Sequence, residues 1–262
     1  MTFRHLPRLL GAATVSAGAI LCATAAPPAS AAPCSDVEVV FAAAAREDDL
    51  HVGAGRGSGE APGVGGVGQS FVDALREQLG ARSLDVYAVN YAASTDFNDR
   101  EGLARTVIDG VRDAGNHIQA TAANCPNTKI VLGGYSQGAT VAGYVTADRA
   151  PAGVPASMVP SALPAAVANH VAAVTLFGTP SPAFLAQYDA PQLTIGANFA
   201  GKTLQLCAPG DTICDGTPGG GPTIAHASYG SNGMTAQAAS YAVDRIAPAP
   251  VPAGGAPAPN NG

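Results

Sequence analysis

Runs of apolar and β-branched residues recur along the chain at 37–41, 85–89, 129–132, 173–177 and 203–206. Each is near-continuously apolar, the pattern of a strand covered on both faces. Between them the spacing becomes helical. Residues 68–80 place Phe71, Leu75 and Leu79 at i, i+4 and i+8, and 99–122 carry Leu103, Val107, Val111, Ala114 and Ile118 along one stripe. Asp96 and Asn98 stand near the start of the second helix as capping candidates. Residues 137–148 and 235–246 read as two further helices. Alternating strand and helix signals predict a parallel sheet with helices on both faces. Ligands on such sheets bind at the carboxyl ends of the strands.

The third run leads into Gly133-Gly134-Tyr135-Ser136-Gln137-Gly138, and small and apolar residues follow. A buried strand, a sharp turn carrying a serine and then a helix is the layout of a nucleophile elbow. Glycines flank such a serine because the turn is strained and the helix passes close to the strand. Ser136 then presents its hydroxyl at the carboxyl end of the sheet. The backbone N–H of Gln137, at a helix start, faces the place where an oxyanion develops.

A serine nucleophile needs a base, and the base needs an orienting acid. Five histidines are present. His5 lies in the leader, and His51, His117 and His170 read as surface residues, His117 on the exposed side of its helix. His226 differs, because it lies between the fifth strand and the last helix, after Gly219-Gly220-Gly221-Pro222. That is where the base stands in a Ser…Asp…His order. Asp148, Asp189, Asp211 and Asp215 are the available acids. Asp211 follows the fifth strand directly and is bracketed by Cys207 and Cys214. A bridge closing so short a loop holds that carboxylate in one place. A second oxyanion donor is sought in Arg56-Gly57-Ser58-Gly59-Glu60, before the first helix, where Ser58 also offers a hydroxyl. Phe97, Phe184, Leu185, Ile213 and Ile224 are loop residues suited to seating an acyl chain.

The first residues predict export from the cell. Arg4 and Arg8, an apolar stretch over 9–26 and Ala29-Ser30-Ala31 read as a secretory signal peptide over 1–32, cleaved near Ala31 or Ala32. Pro27-Pro28 break the apolar run early, so no transmembrane anchor is expected after processing. Loss of Arg4 and Arg8 leaves 11 Lys+Arg against 19 Asp+Glu, a net charge of −8. Such a surface argues against nucleic acid as a partner and against docking to anionic lipid by charge. Four cysteines remain. Cys207 and Cys214 are close enough to bridge each other, which leaves Cys34 with Cys125. Zinc is disfavoured, since there is no C-x2-C spacing and no histidine cluster. Residues 248–262, PAPVPAGGAPAPNNG, cannot bury enough surface to offset their ordering entropy and read as a disordered tail. One folded domain over 33–247 remains.

Taken together, these residues resemble the cutinase family, and within it the secreted cutinase-like esterases of mycobacteria and related actinomycetes. The matching pieces are Cys34 with Val37-Glu38-Val39-Val40-Phe41-Ala42, Arg56-Gly57-Ser58-Gly59-Glu60, Gly134-Tyr135-Ser136-Gln137-Gly138, Cys207-x-x-Gly210-Asp211-x-x-Cys214 and His226-x-x-Tyr229. The resemblance implies a small α/β-hydrolase with a five-stranded parallel sheet, helices on both faces and no large lid. It implies a serine esterase acting through an acyl-enzyme on lipid, polyester or other fatty acyl esters. Ser136 is then the nucleophile, His226 the base, Asp211 the acid, and Ser58 and Gln137 form the oxyanion hole. The same resemblance pairs Cys34 with Cys125 and Cys207 with Cys214. No cofactor, no metal and no partner subunit is expected. The rival class is a surface-binding protein that keeps the fold without catalysis, and a complete Ser/Asp/His set speaks against it. One departure is residues 43–55, which intervene between the first strand and Arg56 and are expected to loop out as solvated surface.

Overall fold

The computed structural model describes residues 33–43, 63–94 and 96–246. The expected leader over 1–32, the Ser58 loop, most of the 43–55 segment and the expected tail over 248–262 lie outside the described residues. Five strands are present there: β1 (Val37–Ala42), β2 (Leu84–Ala88), β3 (Lys129–Tyr135), β4 (Val171–Phe177) and β5 (Thr203–Leu206). They pair in parallel, in the order β2-β1-β3-β4-β5. The helices are α1 (Gly65–Leu79), α2 (Arg100–Asn124), α3 (Gln137–Val145), α4 (Ala165–Ala168), α5 (Pro182–Gln187), α6 (Ala197–Ala200) and α7 (Met234–Val243).

Alternation along β1 builds two cores. Val37, Val39 and Phe41 face one side and pack with Phe71 and Leu75 of α1, Ala238 and Ala242 of α7, and Tyr229. The Phe41, Phe71 and Phe177 rings meet there at centroid distances of 5.7 to 6.3 Å. Val40 and Ala42 face the other side and pack with Val111 and Ile118 of α2, Val141 of α3 and Phe199 of α6. Between β1 and β3 the strand order changes direction, so the connections after these two strands leave toward opposite faces. The carboxyl ends of β1 and β3, at this switch point, are where ligands sit on such sheets.

Several local features depart from the sequence pattern. The second run does not lie in the middle of the sheet. β2 is an edge, and Asp85 and Val86 are exposed. Asp99, not Asp96 or Asn98, caps α2, its carboxylate accepting the Gly102 N–H at 2.8 Å. Asp96 instead accepts from Asn98 N at 3.0 Å, in a turn before the helix. His117 is not on the exposed side of α2. Its Nε2 lies 2.8 Å from Glu38 Oε1 and its ring stacks on Tyr87 at 3.5 Å. Thr121 donates to the other Glu38 oxygen at 2.7 Å. This cluster ties α2 to β1 at the amino end of the sheet, away from Ser136.

Burial pushes the Glu38 carboxyl up, but the hydrogen bonds from His117 and Thr121 outweigh it and hold the group below its ordinary value of 4.5. A lowered native value means stability that is present above 4.5 and lost as pH falls below it. Glu38→Gln is therefore expected to cost about 1 kcal/mol at neutral pH. It should also lose less on acidification than the parent, which thermal melts from about pH 6 to about pH 3 can follow. An unchanged acid drop in the variant argues against this pairing.

Candidate active site

The site grows from the end of β3. Ser136 sits at φ 55°, in the left-handed region, between the strand and α3. Its neighbours must be glycine because the backbones come so close. A Cβ on Gly134 stands 2.2 Å from the Gly138 carbonyl oxygen, and one on Gly138 stands 2.0 Å from that of Ala42. The Ser136 N–H is held by the Phe177 carbonyl of β4 at 2.9 Å, and its own carbonyl accepts from Thr140 at 3.1 Å. These contacts turn the side chain out of the sheet, with Ser136 Oγ 2.9 Å from His226 Nε2.

His226 begins a short 3-10 turn, His226–Ser228. Its backbone is fixed at both polar atoms. The N–H donates to Thr223 Oγ1 at 3.1 Å, and the carbonyl accepts from the Tyr135 hydroxyl at 2.6 Å. Nδ1 lies 2.9 Å from Asp211 Oδ2. A carboxylate accepts only, so Nδ1 carries the proton and Nε2 is left to accept from the serine hydroxyl.

Asp211 is fully buried, in the loop after β5 that the Cys207–Cys214 disulfide closes. Its Oδ1 accepts the Ile213 N–H at 3.1 Å and its Oδ2 the Tyr229 hydroxyl at 2.7 Å. Burial pushes this carboxyl up, and the hydrogen bonds from His226, Tyr229 and Ile213 more than reverse it, so the group lies below the usual aspartate value. It stays ionised beside the histidine. Cys207, Asp211 and Cys214 lie close enough to hold an ion. However, the two sulfurs are bonded to each other and the carboxylate oxygens already accept three hydrogen bonds. Cys34 bridges Cys125 and ties the start of β1 to the end of α2.

Gln137 opens α3, so its N–H is among the first four of a helix, which lack intrahelical acceptors. Its side chain donates to the Ser94 carbonyl at 3.0 Å, which anchors the loop after β2 beside Ser136. Ser58 lies outside the described residues. Asp148 pairs with Arg149 and Asp189 with Arg100, whereas the carboxylate paired with His226 is Asp211. Of the apolar loop residues, Phe184, Leu185 and Ile213 are buried, whereas Phe97 is 42% and Ile224 92% exposed. Phe97 packs on Tyr188 at 5.0 Å, and Tyr188 on Phe184 at 5.3 Å. A cavity of about 740 Å³ lies elsewhere, between α2, the end of α3 and residues 156–164, and touches neither Ser136, His226 nor Asp211.

A family model described as Cutinase matches residues 33–246. The chain belongs to the cutinase family. Carboxylesterase Culp1 of Mycobacterium tuberculosis is 45% identical over 249 residues, covering 94% of this chain and 98% of that protein. Probable carboxylesterase Culp7 of the same organism is 56% identical over 169 residues, 64% of this chain and 88% of that one. Among solved structures, Trichoderma reesei cutinase in complex with a phosphonate inhibitor aligns at 30% identity and a TM-score of 0.56, covering 82% of this chain and 78% of that one. This cutinase-family protein is a small α/β-hydrolase and a carboxylic ester hydrolase.

Two tyrosines of this cutinase-family protein stand at the site without having been picked out in the sequence. Tyr135 was only the variable position of the elbow, and Tyr229 only the last residue of His226-x-x-Tyr229. The available signal was that buried tyrosines find a partner for the hydroxyl. Which partner was not readable, because both meet theirs across the fold.

Proposed function

We propose that the protein is a serine esterase that cleaves fatty acyl esters through an acyl-enzyme, with Ser136 as nucleophile, His226 as base and Asp211 as acid. The observation that carries this reading is the continuous chain from Ser136 Oγ to His226 Nε2, 2.9 Å, and from His226 Nδ1 to Asp211 Oδ2, 2.9 Å. Ser136 attacks the ester carbonyl while His226 takes its proton. The oxyanion is held by the N–H of Gln137 and by a donor from the Ser58 loop. His226 then protonates the leaving alcohol, and water attacks the acyl-enzyme by the same route in reverse. Work outside the cytoplasm as a single chain fits the two disulfides and the acidic surface. The leader over 1–32 and the tail over 248–262 belong to the same reading.

An acyl chain needs an apolar wall beside Ser136. β2 and β4 stand three strand spacings apart, roughly 14 Å. Even so, Phe97 from the loop after β2 packs on Tyr188 from the segment after β4, and Arg100 pairs with Asp189 in the same place. This bridge runs across the carboxyl ends of β1 and β3. Phe97, packed on Tyr188, and Ile224, close before His226 in the chain, leave apolar surface exposed. A relative 42% identical over 243 residues is named Phospholipase Culp4, so a lipid ester lies within the same class.

p-Nitrophenyl esters from C2 to C12, with a phosphatidylcholine vesicle alongside, test this. We expect kcat/KM to rise about tenfold from C2 to the medium chains, as added methylenes meet partly exposed apolar surface. Phe97→Ala should flatten that rise with little effect on C2. A rate confined to C2, in parent and variant alike, removes the fatty acyl reading and leaves a short-chain esterase.

A further inference from the structure

Resting on that reading of the site, we infer that Tyr229 is a positioning residue of the proton-transfer chain, whose hydroxyl orients Asp211 and tempers the charge that Asp211 presents to His226. Asp211 Oδ2 accepts two hydrogen bonds, from His226 Nδ1 at 2.9 Å and from the Tyr229 hydroxyl at 2.7 Å. The direction of the second is set by a third contact. The Ala208 N–H donates to the same phenol oxygen at 2.9 Å, so the hydroxyl proton is left for the carboxylate. Tyr229 is fully buried, and its ring stands edge-on to the His226 ring at 6.3 Å. The same side chain therefore fills space beside the imidazole and donates to the imidazole's partner.

Burial, and then the hydrogen bond to Asp211, push the phenol well above its ordinary value, so Tyr229 remains a donor across the working pH range. A donor on a carboxylate draws charge away from it. Two donors competing for one oxygen weaken the hold of Asp211 on a protonated His226. Removing the hydroxyl leaves the Ile213 N–H on Oδ1, which keeps the carboxylate in place while its charge concentrates on the histidine side. Among the described residues, the titratable groups that face His226 are Asp211 from the loop after β5, Tyr135 from β3 and Tyr229 itself. The Tyr135 hydroxyl is committed to the His226 carbonyl, so it does not take over the role of Tyr229.

The test compares parent, Tyr229→Phe and a chain carrying 3,5-difluorotyrosine at 229, with pH profiles of kcat and KM on a short p-nitrophenyl ester. Phenylalanine keeps the ring and deletes the hydroxyl, which is both the donor to Asp211 and the acceptor of the Ala208 N–H, whereas difluorotyrosine keeps both contacts. We expect kcat to fall about tenfold, the loss of one hydrogen bond to a charged group, with KM within about twofold. The acid limb of the profile should move up by about half a pH unit or more. Difluorotyrosine is a stronger donor of the same shape, and its acid limb should move the opposite way. A role in packing alone predicts no movement of the limb in either chain, and that result overturns the inference, as does a parent-like kcat in Tyr229→Phe. Should Tyr229→Phe fail to fold, the difluorotyrosine chain decides by the same criterion. Ser136→Ala runs beside them. Hydrolysis surviving there removes the reading of the site itself, whereas an inactive Ser136→Ala with an unshifted limb overturns the role of Tyr229 alone.

Discussion

Ser136→Ala is expected to lower kcat for ester hydrolysis on the order of 10⁴- to 10⁶-fold, leaving the residual rate that binding and oxyanion donors supply. Stability should barely change. The serine already holds φ 55°, and alanine there suffers the same backbone strain as any other side chain with a Cβ. Among the described residues its hydroxyl makes one side-chain hydrogen bond, to His226, and the residue is only half-buried. Steady-state rates on a C4 ester and a thermal melt together check both halves. A variant that keeps more than a few per cent of the parent rate takes Ser136 out of the chemistry.

Gly138→Ala should be nearly as damaging by another route. The added Cβ meets the Ala42 carbonyl oxygen at 2.0 Å and that of Ala43 at 2.5 Å. Both obstacles are backbone at the end of β1, so neither can rotate aside. α3 must lift from the sheet, and Ser136 moves with it. The expected cost is about 3 kcal/mol or more, with most of the activity lost even in the folded fraction. Gly115→Ala in α2 is the control, because its Cβ meets nothing within 4 Å. Alanine there should stabilise the helix by roughly 0.5–1 kcal/mol. Denaturant melts of the two variants read the contrast. Parent-like stability and rate in Gly138→Ala contradict the close approach of α3 and β1.

Much of the fold was legible because a parallel sheet buried on both faces writes apolar runs into the chain. All five strands lie where those runs lie. Their order does not follow from the runs, and so the edge position of β2, with Val86 exposed, could not be read from a β-branched segment that looks like the others. α4, α5 and α6 span only 4 to 6 residues each, too few for a helical period to show. The elbow was legible because its glycines answer a local steric demand. Asp211 was legible because two cysteines bracket it. His117 misled because a helix stripe marks apolar contacts only, and a polar residue paired with Glu38 looks, in sequence, like one facing water. Tyr229 meets a carboxylate 18 residues away, a contact that exists only after β5 and the last loop have been placed.

The central claim is that Ser136 is activated by His226, and covalent labelling tests it most directly. The protein is treated with a fluorophosphonate, and the adduct is located by peptide mass spectrometry. One adduct per chain is predicted, on the peptide that carries Ser136, with labelling abolished in a folded His226→Ala variant. Continued ester hydrolysis by protein whose Ser136 remains unlabelled, or an adduct on a different serine, contradicts the account.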